Sequence, residues 1–178
     1  MKTLNILIGF LPFLSILGFG TLARAAEGLK VGDPAPGFTL SDQSGKAARL
    51  SDLKGKEFVI LYFYPKDETP GCTKEACTFR NDLNWYRDHG VEILGVSVDD
   101  QASHRKFATN YSLNFPILSD ADKKVTKQYG VLGPFGVANR TTFVIDKEGI
   151  IRAIFPSVKV DGHSAELQKA LSGLIAQT

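Results

Sequence analysis

The chain has 178 residues, 43% hydrophobic and 22% charged, an ordinary globular composition that excludes a disordered or fibrous protein. Its 21 Lys and Arg stand against 19 Asp and Glu, and the excess vanishes beyond residue 25, because Lys2 and Arg24 precede every acid. A neutral remainder offers no basic footprint for nucleic acid, and two cysteines are too few for a disulfide scaffold or a four-cysteine zinc site.

Residues 1–25 read as an export signal: Lys2, an apolar run from Ile6 to Phe19, then the small-x-small site Ala23-Arg24-Ala25. The alternative is an uncleaved anchor, since Leu4 to Leu22 is uncharged and long enough to span a bilayer. Gly9, Pro12, Gly18 and Gly20 argue against a stable anchor helix. Either reading puts the rest of the chain, residues 26–178, on the exported side as one domain.

No repeat or linker divides the remainder. Gly32 to Pro36 is extended, Phe38 to Leu40 a short strand, and Asp42 to Gly45 a turn. The continuous apolar run Phe58 to Tyr64 suits a strand buried on both faces. A helix is predicted from about Cys72 to His89, stopped by Gly90, and then a second buried strand from Val91 to Val98. Helical patterns return at Ala102–Tyr111 and Asp122–Tyr129. Strands Thr142–Ile145 and Ile150–Phe155 flank a turn at Asp146–Gly149, and Ser164–Ala176 forms the last helix. This alternation predicts an α/β fold with a mixed sheet covered by helices on both faces. The first buried strand empties into Pro65–Cys72, the kind of strand end where chemistry gathers.

Cys72 falls in the first turn of its helix, after Pro70 and Gly71, where free amides and the dipole favour a thiolate. The hydroxyl of Thr69, three residues earlier, can turn toward the sulfur. Cys77 follows with four residues between the thiols, whereas disulfide-exchange pairs carry two. Helix geometry puts the two Cα atoms roughly 8.5 Å apart. A disulfide needs about 4.4–6.8 Å. The sulfurs therefore meet only if the helix unwinds, which suits a nucleophile and a resolving partner. A structural disulfide is the rival, though closing so small a loop contributes only ~2 kcal/mol. His89, His104 and His163 show no ligand spacing with the cysteines. A hydrolase would need one of them beside Cys72; His89 lies far along the helix, and turn or surface positions are expected for the other two.

The run Tyr62-Phe63-Tyr64-Pro65-Lys66-Asp67 through Gly71-Cys72-Thr73-Lys74-Glu75-Ala76-Cys77, with its Pro65-x-x-x-Thr69-x-x-Cys72 core, resembles the peroxiredoxin family. It is most similar to the bacterioferritin comigratory protein or Q-type branch. Arg140-Thr141-Thr142-Phe143-Val144-Ile145-Asp146 resembles the segment that brings an arginine to the active cysteine, and the likeness runs from about Leu29 to Ile175. The resemblance implies a thioredoxin-like fold and a thiol peroxidase with Cys72 as peroxidatic nucleophile and Cys77 as resolving cysteine. It also implies that Thr69 and Arg140 hold the peroxide, that Pro65 shields the pocket, that no cofactor or metal is needed, and that the protein acts as a monomer. The implied partners are a hydroperoxide and a thioredoxin-like reductant. Rival readings are a protein disulfide oxidoreductase and a binding module with a structural disulfide.

Overall fold

The computed structural model describes residues 28–177; the expected export signal, its cleavage site and the start of the exported domain lie outside them. Seven strands form one sheet: β1 (Thr39–Asp42), β2 (Ala47–Arg49), β3 (Phe58–Phe63), β4 (Val91–Ser97), β5 (Ile117–Ser119), β6 (Thr141–Ile145) and β7 (Ile151–Pro156). Their order across the sheet is β2-β1-β5-β4-β3-β6-β7. β3, β4 and β5 are parallel to one another, and each outer strand runs antiparallel to its inner neighbour.

β3 is an interior strand, between β4 and β6, because every one of its residues is apolar or aromatic and buried. Alternate side chains serve opposite faces. Phe58, Ile60 and Tyr62 join one core with side chains from α1 (Pro70–Asp88), α2 (Gln101–Asn110) and α4 (His163–Ile175). Val59, Leu61 and Phe63 join the other, with Val125 of α3 (Lys124–Gln128), Tyr129 and Leu50. Tyr62 needs Gly95 opposite it, since a Cβ there would approach the phenol oxygen to 2.7 Å. The mixed sheet and its covered faces are thus as expected.

Several boundaries differ. α1 starts at Pro70, two residues before the expected point, because proline at the first helical position brings a suitable φ and needs no donor. Its other end is as read, with His89 capping and Gly90 at φ 65°. β2 and β5, each three residues long, were not anticipated; neither shows enough periods to register in a sequence. α3 is shorter than its pattern, starting after Lys123 in the left-handed region, with buried Asp120 accepting the Val125 and Thr126 amides. Among the described residues no helix is long and apolar enough to cross a membrane.

Candidate active site

The site lies where β3 ends and α1 begins. Thr69 is the N-cap, and the first helical hydrogen bond runs from the Thr73 amide to the Thr69 carbonyl at 2.9 Å. The amides of Gly71 and Cys72 precede it and have no intrahelical acceptor, so they form a donor pair at the positive end of the helix. The buried stripe of α1 is Cys72, Glu75, Ala76, Phe79, Leu83 and Tyr86, a spacing of three and four that turns one face to the sheet. Cys72 is thus buried on that face, whereas Cys77 is half-buried off it. Both thiols are free within one unbroken helix.

Arg140 reaches this point through strand register. β6 runs antiparallel to β3 with Thr141 opposite Phe63, so the residue before β6 flanks the exit of β3. Its Nη2 donates to Cys72 Sγ at 3.1 Å, and Nη1 pairs with Glu75 Oε2. Burial works against the guanidinium charge, but Glu75 and Cys72 outweigh it and hold Arg140 more firmly protonated than usual. Pro65 is half-buried at the start of the loop. Thr69 differs from expectation. Its hydroxyl donates to the Lys66 carbonyl at 3.0 Å rather than turning to the sulfur, because that carbonyl stands within reach across the loop. A hydroxyl rotor can change partner when a better acceptor arrives.

Glu75 is the member of the site that sequence reasoning missed. It is 2% exposed, with Oε1 lacking a hydrogen-bond partner among the described residues. Its signal was available: a carboxylate three residues after Cys72 must share that residue's helix face. Burial pushes its carboxyl up to about 7, although the charge and hydrogen bond of Arg140 oppose the shift. The unfolded chain releases this proton near the ordinary 4.5, the folded protein only near 7. The stability contributed is therefore full below pH 4.5, falls as pH rises to about 7, and is level above. The change amounts to roughly 3 kcal/mol. Urea unfolding at pH 4.5 and pH 8 checks this: the stability difference between Glu75→Gln and wild type moves by up to that amount in favour of the variant at pH 8. A constant difference contradicts it.

The histidines are also corrected in part. His104 and His163 are both core residues, not turn or surface ones. His104 is held by Asp67 and the Leu118 carbonyl, and His163 by Thr142, so polar partners inside the fold make burial affordable. His89 is exposed and stacks on Trp85 at the far end of α1. The described residues contain no group of three His, Cys, Asp or Glu side chains placed to hold a metal.

A mixed sheet with a reduced cysteine in the first helical turn, facing an arginine from an antiparallel neighbour strand, defines a thiol redox protein of thioredoxin-like architecture. Comparison with known proteins makes the class specific: residues 31–154 match the AhpC/TSA family, and the chain belongs to it. Chloroplastic peroxiredoxin Q of Triticum aestivum is 47% identical over 146 residues, covering 80% of this chain and 67% of that protein. Peroxidoxin BcpB of Mycobacterium tuberculosis superposes with a TM-score of 0.77 at 37% identity, covering 82% of this chain and 97% of the other. The bacterioferritin comigratory protein of Xanthomonas campestris, described with an alkyl peroxide reduction activity, gives 0.74 at 32% identity over 78% and 92% of the two chains.

Proposed function

We propose that this chain is a thiol peroxidase that reduces hydrogen peroxide and organic hydroperoxides with Cys72 as nucleophile and Cys77 as resolving cysteine. The observation that carries the reading is the 3.1 Å contact between Arg140 Nη2 and Cys72 Sγ, made across 68 residues of sequence. The Cys72 thiolate attacks one peroxide oxygen and the O–O bond breaks. The other oxygen leaves with the electron pair, takes a proton and departs as water or an alcohol, leaving a sulfenic acid on Cys72. Arg140 and the Gly71 and Cys72 amides are donors suited to the charge on the departing oxygen. Thr69 orients the peroxide and Pro65 shields the reacting sulfur. Cys77 then attacks the oxidised sulfur, a disulfide forms, and the oxygen leaves as water. A thioredoxin-like dithiol donor takes the disulfide back to two thiols. Because both cysteines belong to one helix, the cycle closes within a monomer. No metal or organic cofactor enters any step.

Intact mass spectrometry of reduced protein with one equivalent of hydrogen peroxide tests this reading. Peroxide is consumed stoichiometrically while the protein loses two hydrogens, and peptide mapping joins Cys72 to Cys77. A protein that leaves peroxide untouched refutes the reading and favours a binding module. Slow peroxide consumption beside rapid exchange with protein disulfides favours the oxidoreductase.

The apolar start of the sequence and Ala23-Arg24-Ala25 support an exported location, in a periplasm or lumen-like space, with the reductant drawn from that compartment. Protein recovered from its native host then begins near Ala26 on N-terminal sequencing. Recovery of a soluble cytoplasmic form retaining Met1 refutes the export reading.

A further inference from the structure

The loop between β3 and α1 is anchored by a buried, hydrogen-bonded Asp–His pair outside the reactive group. Asp67 and His104 have side chains 3% and 0% exposed. Asp67 Oδ2 accepts from His104 Nδ1 at 2.8 Å and from Ser103 Oγ at 2.7 Å, and its Oδ1 accepts from the Tyr64 hydroxyl at 2.7 Å. The second ring nitrogen of His104 lies 3.1 Å from the Leu118 carbonyl. One carboxylate of the loop is thereby tied to the end of β3, to α2 and, through the ring, to β5.

The same anchor reaches Thr69. The peptide joining Lys66 to Asp67 donates its N–H to Asp99 Oδ2 at 3.0 Å and accepts the Thr69 hydroxyl on its carbonyl at 3.0 Å. Glu68, between these residues, sits at φ 57°, a left-handed conformation that residues with side chains avoid. Its carboxylate also bonds to α2, accepting from Lys106 Nζ at 3.2 Å and Asn110 Nδ2 at 2.6 Å. Those two contacts are exposed and contribute little holding power. The buried pair carries the restraint.

We infer that Asp67 and His104 form a positioning pair for the peroxide step: tied to α2 through His104, they fix the Lys66–Asp67 peptide, and through it the place of the Thr69 hydroxyl at the start of the helix that carries Cys72. The pair touches neither the sulfur nor the substrate. It acts on the geometry of the loop, where a displacement of about 1 Å can cost up to a hundredfold in rate. The inference rests on the peroxidase reading above.

The test measures two second-order rates for Cys72 in the full chain, one with hydrogen peroxide and one with iodoacetamide, with modification assigned to Cys72 by peptide mass. Alkylation needs the thiolate but no Thr69 hydroxyl. Asp67→Asn and His104→Gln each weaken the pair. The double variant Asp67→Ala/His104→Leu removes it without leaving a lone buried charge, so it folds even where a single variant does not. Near-ultraviolet circular dichroism establishes that each protein compared is folded. In the folded variants the peroxide rate falls about tenfold or more, while alkylation stays near wild type. A peroxide rate equal to wild type, or alkylation falling in step with it, overturns the positioning role. Failure of the wild-type protein to react with peroxide overturns the peroxidase reading instead, which separates the two.

Discussion

Cys72→Ser reduces peroxide turnover to the uncatalysed background, whereas Arg140→Ala lowers the rate of Cys72 oxidation by about a hundredfold to a thousandfold. The two effects differ because a hydroxyl at this site is a poor nucleophile at neutral pH, while loss of the guanidinium leaves the sulfur and the helix amides in place. Arg140→Lys restores little of the loss. A single ammonium cannot serve both Cys72 and Glu75 as the planar fork does, with Nη2 on the sulfur and Nη1 on the carboxylate. Stopped-flow oxidation over a range of peroxide concentrations measures each rate. Full turnover by the Cys72→Ser protein removes the nucleophile assignment, and an unchanged rate in Arg140→Ala removes the proposed role of the guanidinium.

Cys77→Ser retains the first oxidation, loses turnover with a dithiol protein reductant, and accumulates sulfinic acid as peroxide is raised. The physical basis is that both thiols sit in one continuous helix, Pro70–Asp88, where Cα atoms five residues apart stand roughly 8.5 Å from each other. Bonding requires the first turns, from about Gly71 to Phe79, to unwind. Opening of this kind draws on local stability alone. Amide exchange therefore shows protection across Cys72–Phe79 in the reduced form and its loss in the disulfide form, with β3 unchanged. Equal protection in the two forms rules out unwinding. Without Cys77 the sulfenic acid waits for a second peroxide, and intact mass then finds the added oxygens on Cys72.

The sequence revealed β3, β4 and α1 because long apolar runs and a helix stop at Gly90 are strong local signals. Cys72 and Cys77 were legible through their place near a helix start and their spacing. Arg140 was not legible from local chemistry: an arginine before an apolar strand is ordinary, and only resemblance to a family gave it a place. What seats it is the β3–β6 register, a non-local fact. The burial of His104 escaped notice for a related reason. Its partners, Asp67 and Leu118, come from separate elements that the sheet brings together. The donor preference of Thr69 depends on the exact path of the loop, which no periodicity encodes.

The β3–β6 register also gives the protein a history. Cys72 leaves the ribosome 68 residues ahead of Arg140, and nothing local brings the guanidinium to it. Until β6 docks against β3, the sulfur lacks its cationic partner. Reactivity toward peroxide is thus a property of the finished sheet.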